Sequence, residues 1–219
     1  MVRPVQPVVG RSVVIVIVDH GMGNLGSVHN MLRKIGADAV RSADPEVIAA
    51  ADKLVLAGIG AFDGAVGRLA DLGLVELLDE LVLERQVPVL GVCLGMQLMA
   101  HSSEEGERIG LGWLDADVRR FTFAPELRLP VPHMGWQEVT PTRPSPLFDA
   151  EATDLRFYFS HAYHLVCHDP SDVAATATYG YEFPAAVQRG NILGTQFHPE
   201  KSHVFGLEVY RRFVRLPAA

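Results

Sequence analysis

The chain has 219 residues, 48% of them hydrophobic and 21% charged, with a formal net charge of -7. That length holds one domain with a sizeable core. The acidic balance, with basic residues scattered rather than clustered, argues against nucleic acid or an anionic membrane as partner, and no apolar run nears the roughly 20 residues of a membrane helix.

In chain order, residues 1 to 11 carry Pro4, Pro7 and Gly10 and predict a loose tail ahead of a single domain over 12–219. The β-branched run at 13–18 predicts a strand buried on both faces of a parallel sheet. Gly21 and Gly23 form a turn, after which Asn24 is placed to cap a helix with an apolar stripe of Leu25, Val28, Leu32 and Ile35, stopped at Gly36. A short strand near 39–40, a helix at 45–50, a strand at 53–57, helical patterns over 62–85 and a buried strand at 87–92 follow. This alternation implies right-handed βαβ units and an open, mostly parallel sheet. Aromatic and β-branched runs at 118–123, 155–166, 173–179 and 185–197 predict antiparallel additions. The three prolines between 140 and 153 predict an exposed loop, and the last helix is expected over 202–214.

Two cysteines, Cys93 and Cys167, are too few for a disulfide-stapled secreted domain of this size. Both are expected to be reduced thiols in a cytosolic protein. They differ in setting. Gly91-Val92-Cys93-Leu94-Gly95 closes the strand at 87–92 and opens a helix predicted at 96–100. This is the elbow in which a nucleophile sits on a strained turn between small neighbours, at a helix mouth that favours a thiolate. Cys167 has no such context and reads as an inert buried thiol.

A cysteine nucleophile needs a base, and the base needs an orienting group. His198-Pro199-Glu200 supplies both on one segment, with the carboxylate two residues from the imidazole. His161, His164 and His168 lack metal-site spacing, and on a strand His161 and His164 would face opposite ways; no metal is assigned. Gly21, Gly23 and Gly26 have dinucleotide-loop spacing, but no acidic ribose ligand ends the second strand.

Gly-Val-Cys-Leu-Gly-Met-Gln at 91–97 and Gln-Phe-His-Pro-Glu-Lys-Ser at 196–202 resemble the class I, triad-type glutamine amidotransferases. Asp19-His20-Gly21-Met22-Gly23-Asn24-Leu25 and His133-Met134-Gly135-Trp136 resemble, more narrowly, the glutaminase subunits of imidazole glycerol phosphate synthase, in histidine biosynthesis. The resemblance spans about 13–215 and implies a flavodoxin-like α/β fold, with a central mostly parallel sheet flanked by helices. It implies that Cys93 forms a γ-glutamyl thioester, with His198 as base and then acid and Glu200 orienting it. It implies an oxyanion hole from the backbone of Leu94 and the Gly58-Ile59 turn. Gln97, His161, Ala162 and Tyr163 would hold the substrate glutamine. Asn24, His133, Met134 and Trp136 would face a cyclase (β/α)₈ barrel subunit, the heterodimer partner that receives the ammonia. The resemblance implies no cofactor.

The chain departs from the family pattern at four places. Ala57 stands where the oxyanion turn usually has proline, Gln137 where asparagine usually follows Trp136, Ala162 where serine is usual, and His203 where glycine is common. The last is shared with a paralogous branch that feeds a barrel homologue making amidino sugars for surface polysaccharides. A catalytically silent subunit and a free-standing cysteine hydrolase are the other readings. The intact Cys93, His198 and Glu200 oppose the first, and Gln97 with the His133–Trp136 motif opposes the second.

Overall fold

The computed structural model describes residues 13–149 and 151–218; the tail expected over 1–11 lies outside them. β1 (Val14–Val18), β2 (Asp38–Ser42), β3 (Lys53–Gly58) and β4 (Val89–Cys93) alternate with α1 (Leu25–Lys34), α2 (Pro45–Ala49), α3 (Phe62–Asp71) and α4 (Val75–Asp79). α5 (Leu94–Gln97), β5 (Ser102–Ser103), β6 (Ala116–Arg120), β7 (His133–Glu138), β8 (Thr140–Pro141), β9 (Arg156–His161) and β10 (Tyr163–Cys167) come next. β11 (Val173–Tyr179), β12 (Tyr181–Arg189), β13 (Ile192–Thr195) and α6 (His203–Arg215) complete the chain.

The main sheet runs β2-β1-β3-β4-β13-β12-β11-β8. Its first five strands are parallel, and β12, β11 and β8 extend it antiparallel. The continuous apolar run of β1 is explained by two cores. Ile15 and Ile17 face one side, with Leu25, Val28 and Leu32 of α1 and Val209 and Phe213 of α6. Val16 and Val18 face the other, with Ile48, Phe62, Ala65 and Leu69. Because strand side chains alternate, a strand covered on both faces must be apolar at every position. β2 lies at the sheet edge and is mostly exposed, which is why its pattern is faint in the sequence. Lys53, fully buried, donates to the carbonyls of Val214 and Leu216 and ties the end of α6 to the sheet. Among the described residues no helix is long and apolar enough to cross a membrane.

Four expectations change. The helix after the elbow is α5, four residues long rather than a helix over 96–100. The carbonyls of Leu98, Met99 and Ala100 are taken by the returning backbone of Leu111, Leu114 and Gly112. Asn24 precedes α1 but its side chain makes no capping bond; its carbonyl accepts from Ser27 N. The 140–153 stretch is not wholly exposed: Thr140–Pro141 pairs as an edge strand with β11, where a proline is tolerated, and Leu147 and Phe148 are buried. His161 and His164 do not diverge. The break at Ala162 between β9 and β10 lets both rings pack on Phe121, at centroid distances of 5.2 and 4.6 Å.

Candidate active site

The C-terminal ends of three adjacent parallel strands build the site. Gly58, last residue of β3, lies in register with Cys93, last residue of β4. On the other side of β4, Thr195 at the end of β13 pairs with Val92, and the chain continues directly to His198. Segments about a hundred residues apart in sequence thus meet at the carboxyl ends of the central strands, the usual ligand position in open α/β sheets.

Cys93 takes φ 53° and ψ -108°, a left-handed conformation that an L-residue adopts only under constraint. The constraint is close packing of its glycine neighbours. A Cβ on Gly95 would lie 1.7 Å from the Leu56 carbonyl oxygen, and one on Gly91 would lie 2.8 Å from Met96 Cα. Cys93 is 6% exposed and lines a cleft together with Ile59, Gly60, Leu94, Gln97, Glu105 and the 160–163 segment.

His198 Nδ1 lies 2.7 Å from Glu200 Oε1, and both side chains are nearly wholly buried. Glu200 sits in a 3₁₀ turn over Pro199–Lys201 rather than on an extended strand, yet it still reaches the imidazole. The His198 backbone is held by its own N–H to the Tyr158 carbonyl and by Ser202 Oγ donating to the His198 carbonyl. Its Nε2 makes no hydrogen bond among the described residues, and Cys93 is close enough to act on the ring. Burial alone would lower the His198 pKa; interaction with Cys93 and Glu200 outweighs it and raises the value to about 10.

The 58–60 turn is braced from below by the loop after β1. The buried ring of His20 donates from Nε2 to the Ala57 carbonyl at 3.0 Å. A Cβ on Gly23 would meet Gly58 Cα at 3.0 Å, so glycine lets the two loops touch.

The positions named from sequence mostly converge here. Cys93, Leu94, Ile59, Gln97, His161, Ala162 and Tyr163 all line the cleft. The Gln97 side chain is engaged internally, its Nε2 donating to the Tyr163 carbonyl at 2.9 Å and to Gln196 Oε1 at 3.1 Å. Asn24, Met134 and Trp136 are exposed. His133 is a correction: it is 3% exposed and points inward, because alternation along β7 sends only Met134, Trp136 and Glu138 outward. Trp136 stacks on His203 at 5.5 Å with the planes 3° apart, and His203 itself has φ 47°. Trp113 is buried and donates to Asp79, and Cys167 is half-buried, its thiol pushed up to about 12 by burial.

Three residues not singled out from sequence reach the site. Glu105 lines the cleft and accepts from Phe62 N at 2.8 Å. His20 braces the turn. Gln196, inside the quoted His198 motif, contacts the Cys93 sulfur. For Gln196 the motif itself was the available signal; Glu105 comes from a loop whose position depends on the returning chain.

The class-I glutamine amidotransferase family model matches residues 16–215, and the chain belongs to that family. It is 46% identical to the imidazole glycerol phosphate synthase subunit HisH 2 of Pseudomonas aeruginosa, over 92% of this chain and 99% of that protein. It is 44% identical to HisH 2 of Methanococcus maripaludis, over 92% and 98%. A glutamine amidotransferase structure from Thermotoga maritima shares the fold, with TM-score 0.63 at 20% identity, covering 87% of this chain and 77% of that one.

Proposed function

We propose that this chain is the glutaminase subunit of an imidazole glycerol phosphate synthase, releasing ammonia from glutamine for a cyclase (β/α)₈ barrel subunit. The observation that carries the chemistry is a strained cysteine that acts on a buried histidine whose Nδ1 is 2.7 Å from a carboxylate. The extent and identity of the match to synthase subunits support the pathway.

In this reading Cys93 Sγ attacks the side-chain amide carbon of glutamine. The developing oxyanion is held by backbone N–H groups of Leu94 and the Gly58-Ile59 turn; loss of one such donor costs about 10²–10³ in rate. His198 takes the Cys93 proton as the sulfur attacks and gives it to the departing ammonia as the C–N bond breaks. It then takes a proton from the water that attacks the thioester, freeing glutamate and the thiol. Glu200 keeps the ring oriented and stabilises its charged form. With its nitrogen committed, Gln97 can offer only Oε1 to a ligand, and Glu105 adds a carboxylate; both suit the ammonium group of the substrate.

Asn24, Met134 and Trp136 are read as the exposed side toward the barrel. A second acceptor, a barrel homologue of amidino-sugar synthesis, is favoured by one feature. His203 occupies a left-handed position where the family often has glycine, and its stack on Trp136 reshapes that exposed surface. The test is glutamate release from glutamine, with and without each candidate barrel and its nucleotide ligand. The expected result is slow turnover alone, much faster turnover with the cognate barrel, and none in Cys93→Ala. Equal turnover with and without either barrel would overturn the subunit reading.

A further inference from the structure

The Cys93 sulfur has a second polar neighbour. Gln196 is fully buried and brings its side-chain nitrogen within 3.7 Å of Sγ. A carboxamide can be turned end for end, but here its surroundings leave one orientation. The Tyr163 carbonyl can only accept, so Gln97 must present its NH₂ group to it. The same Gln97 nitrogen lies 3.1 Å from the Gln196 side chain, which must therefore offer its oxygen there. That leaves the Gln196 NH₂ group aimed at the sulfur. The backbone at Tyr163 thus sets the polarity of a buried chain from Gln97 through Gln196 to Cys93.

Filling this space needs no polar atom, and burying a carboxamide is unfavourable unless its bonds are made. We propose that Gln196 is a further catalytic residue, a fixed N–H donor that shares with His198 the task of stabilising negative charge on the Cys93 sulfur. This rests on the reading of Cys93 as the nucleophile. The geometry separates the two roles. His198 moves a proton, whereas Gln196 has none to give and acts only as a stationary dipole, so its contribution persists through both steps at the sulfur.

The test is alkylation of Cys93 by iodoacetamide as a function of pH, with the adduct located by peptide mass spectrometry and Cys167 as internal reference. Glutaminase kcat and KM are measured on the same samples. In Gln196→Met, which removes the donor at similar volume, alkylation at neutral pH should slow about fivefold, the scale of one lost hydrogen bond. Its pH profile should move to higher pH, and kcat should fall while KM holds within about twofold. Gln196→Glu keeps the acceptor for Gln97 and sets an oxygen against the sulfur; it should lose more, and it decides the matter if the methionine variant does not fold. A wild-type alkylation profile in either folded variant overturns the proposal, since a packing role would change stability and leave the sulfur alone. A wild type that fails to hydrolyse glutamine would overturn the proposed function instead, while alkylation still reports whether Gln196 acts on Cys93.

Discussion

His133 donates from Nδ1 to Nε2 of His161, 3.3 Å away. The direction follows from the next bond: His161 Nδ1 lies 2.7 Å from the Tyr163 carbonyl, so Nδ1 carries the proton and Nε2 must accept. His133 is sandwiched between Tyr179 at 3.9 Å and Phe159 at 5.2 Å. The pair therefore joins β7, whose other face carries Met134 and Trp136, to the wall of the cleft.

The pair should make the fold acid-sensitive. Burial lowers the His133 pKa to about 4 and, with some help from neighbouring histidines, the His161 pKa to about 3. Unfolded histidine titrates near about 6.5, so above that pH neither state binds these protons. As pH falls below it, the unfolded chain takes them up and the native fold does not, and stability drops until the folded values are reached. His133→Phe keeps the ring stack and removes one such group. Between pH 7 and 4.5, urea unfolding should show a stability loss smaller by about 2 kcal/mol in the variant. Its neutral-pH stability should be lower by about 1 kcal/mol for the lost bond to His161. Identical acid sensitivity in the two proteins would contradict this account.

Glu200→Gln keeps the shape of the orienting group and removes the charge that helps raise His198 to about 10. A raised histidine is protonated, and so able to act as an acid, only below its folded value. In the variant the alkaline loss of kcat/KM should therefore begin at lower pH. At neutral pH turnover should fall by roughly 10²–10⁴, as when the carboxylate of a comparable triad is neutralised.

Gly95→Ala tests the elbow. The added carbon would lie 1.7 Å from the Leu56 carbonyl oxygen, a backbone atom of β3 that cannot step aside. A loss of about 3 kcal/mol or more is expected, read as a lowered thermal midpoint, together with lost turnover because Cys93 leaves its left-handed conformation. An unchanged midpoint would show that the elbow yields more than its packing suggests.

Ala57→Pro restores the residue usual in the family, next to the turn that His20 braces through the Ala57 carbonyl. Proline narrows the conformations open to residues 56 and 57, so basal turnover should fall and the ratio of barrel-stimulated to basal glutaminase should rise. The same ratio in both proteins would mean that Ala57 does not set the coupling.

Trp136→Ala should leave the fold intact, since the side chain is 46% exposed, and should weaken binding to the barrel subunit by about tenfold or more. Titration calorimetry with the barrel measures this directly; unchanged affinity would remove β7 from the interface.

Local physics made much of the molecule legible in the sequence alone. The apolar period of β1, β3 and β4, the stripe of α1 and the small residues around Cys93 each depend on neighbours a few positions away, and each forms where expected. The elbow pattern and the need of a cysteine nucleophile for a base and an orienting group pointed to the cysteine, the histidine and the carboxylate, and the resemblance of short motifs added their roles. What the sequence did not contain was the pairing of β13 with β4, which brings His198 to Cys93 across a hundred residues of chain. Nor did it contain the inward turn of His133, the four-residue length of α5, the arrival of Glu105 in the cleft, or the carboxamide of Gln196 at the sulfur. All of these depend on which strand lies beside which and on where the returning chain finds its hydrogen bonds. Such non-local contacts are settled by packing the whole domain and leave no periodic mark along the chain.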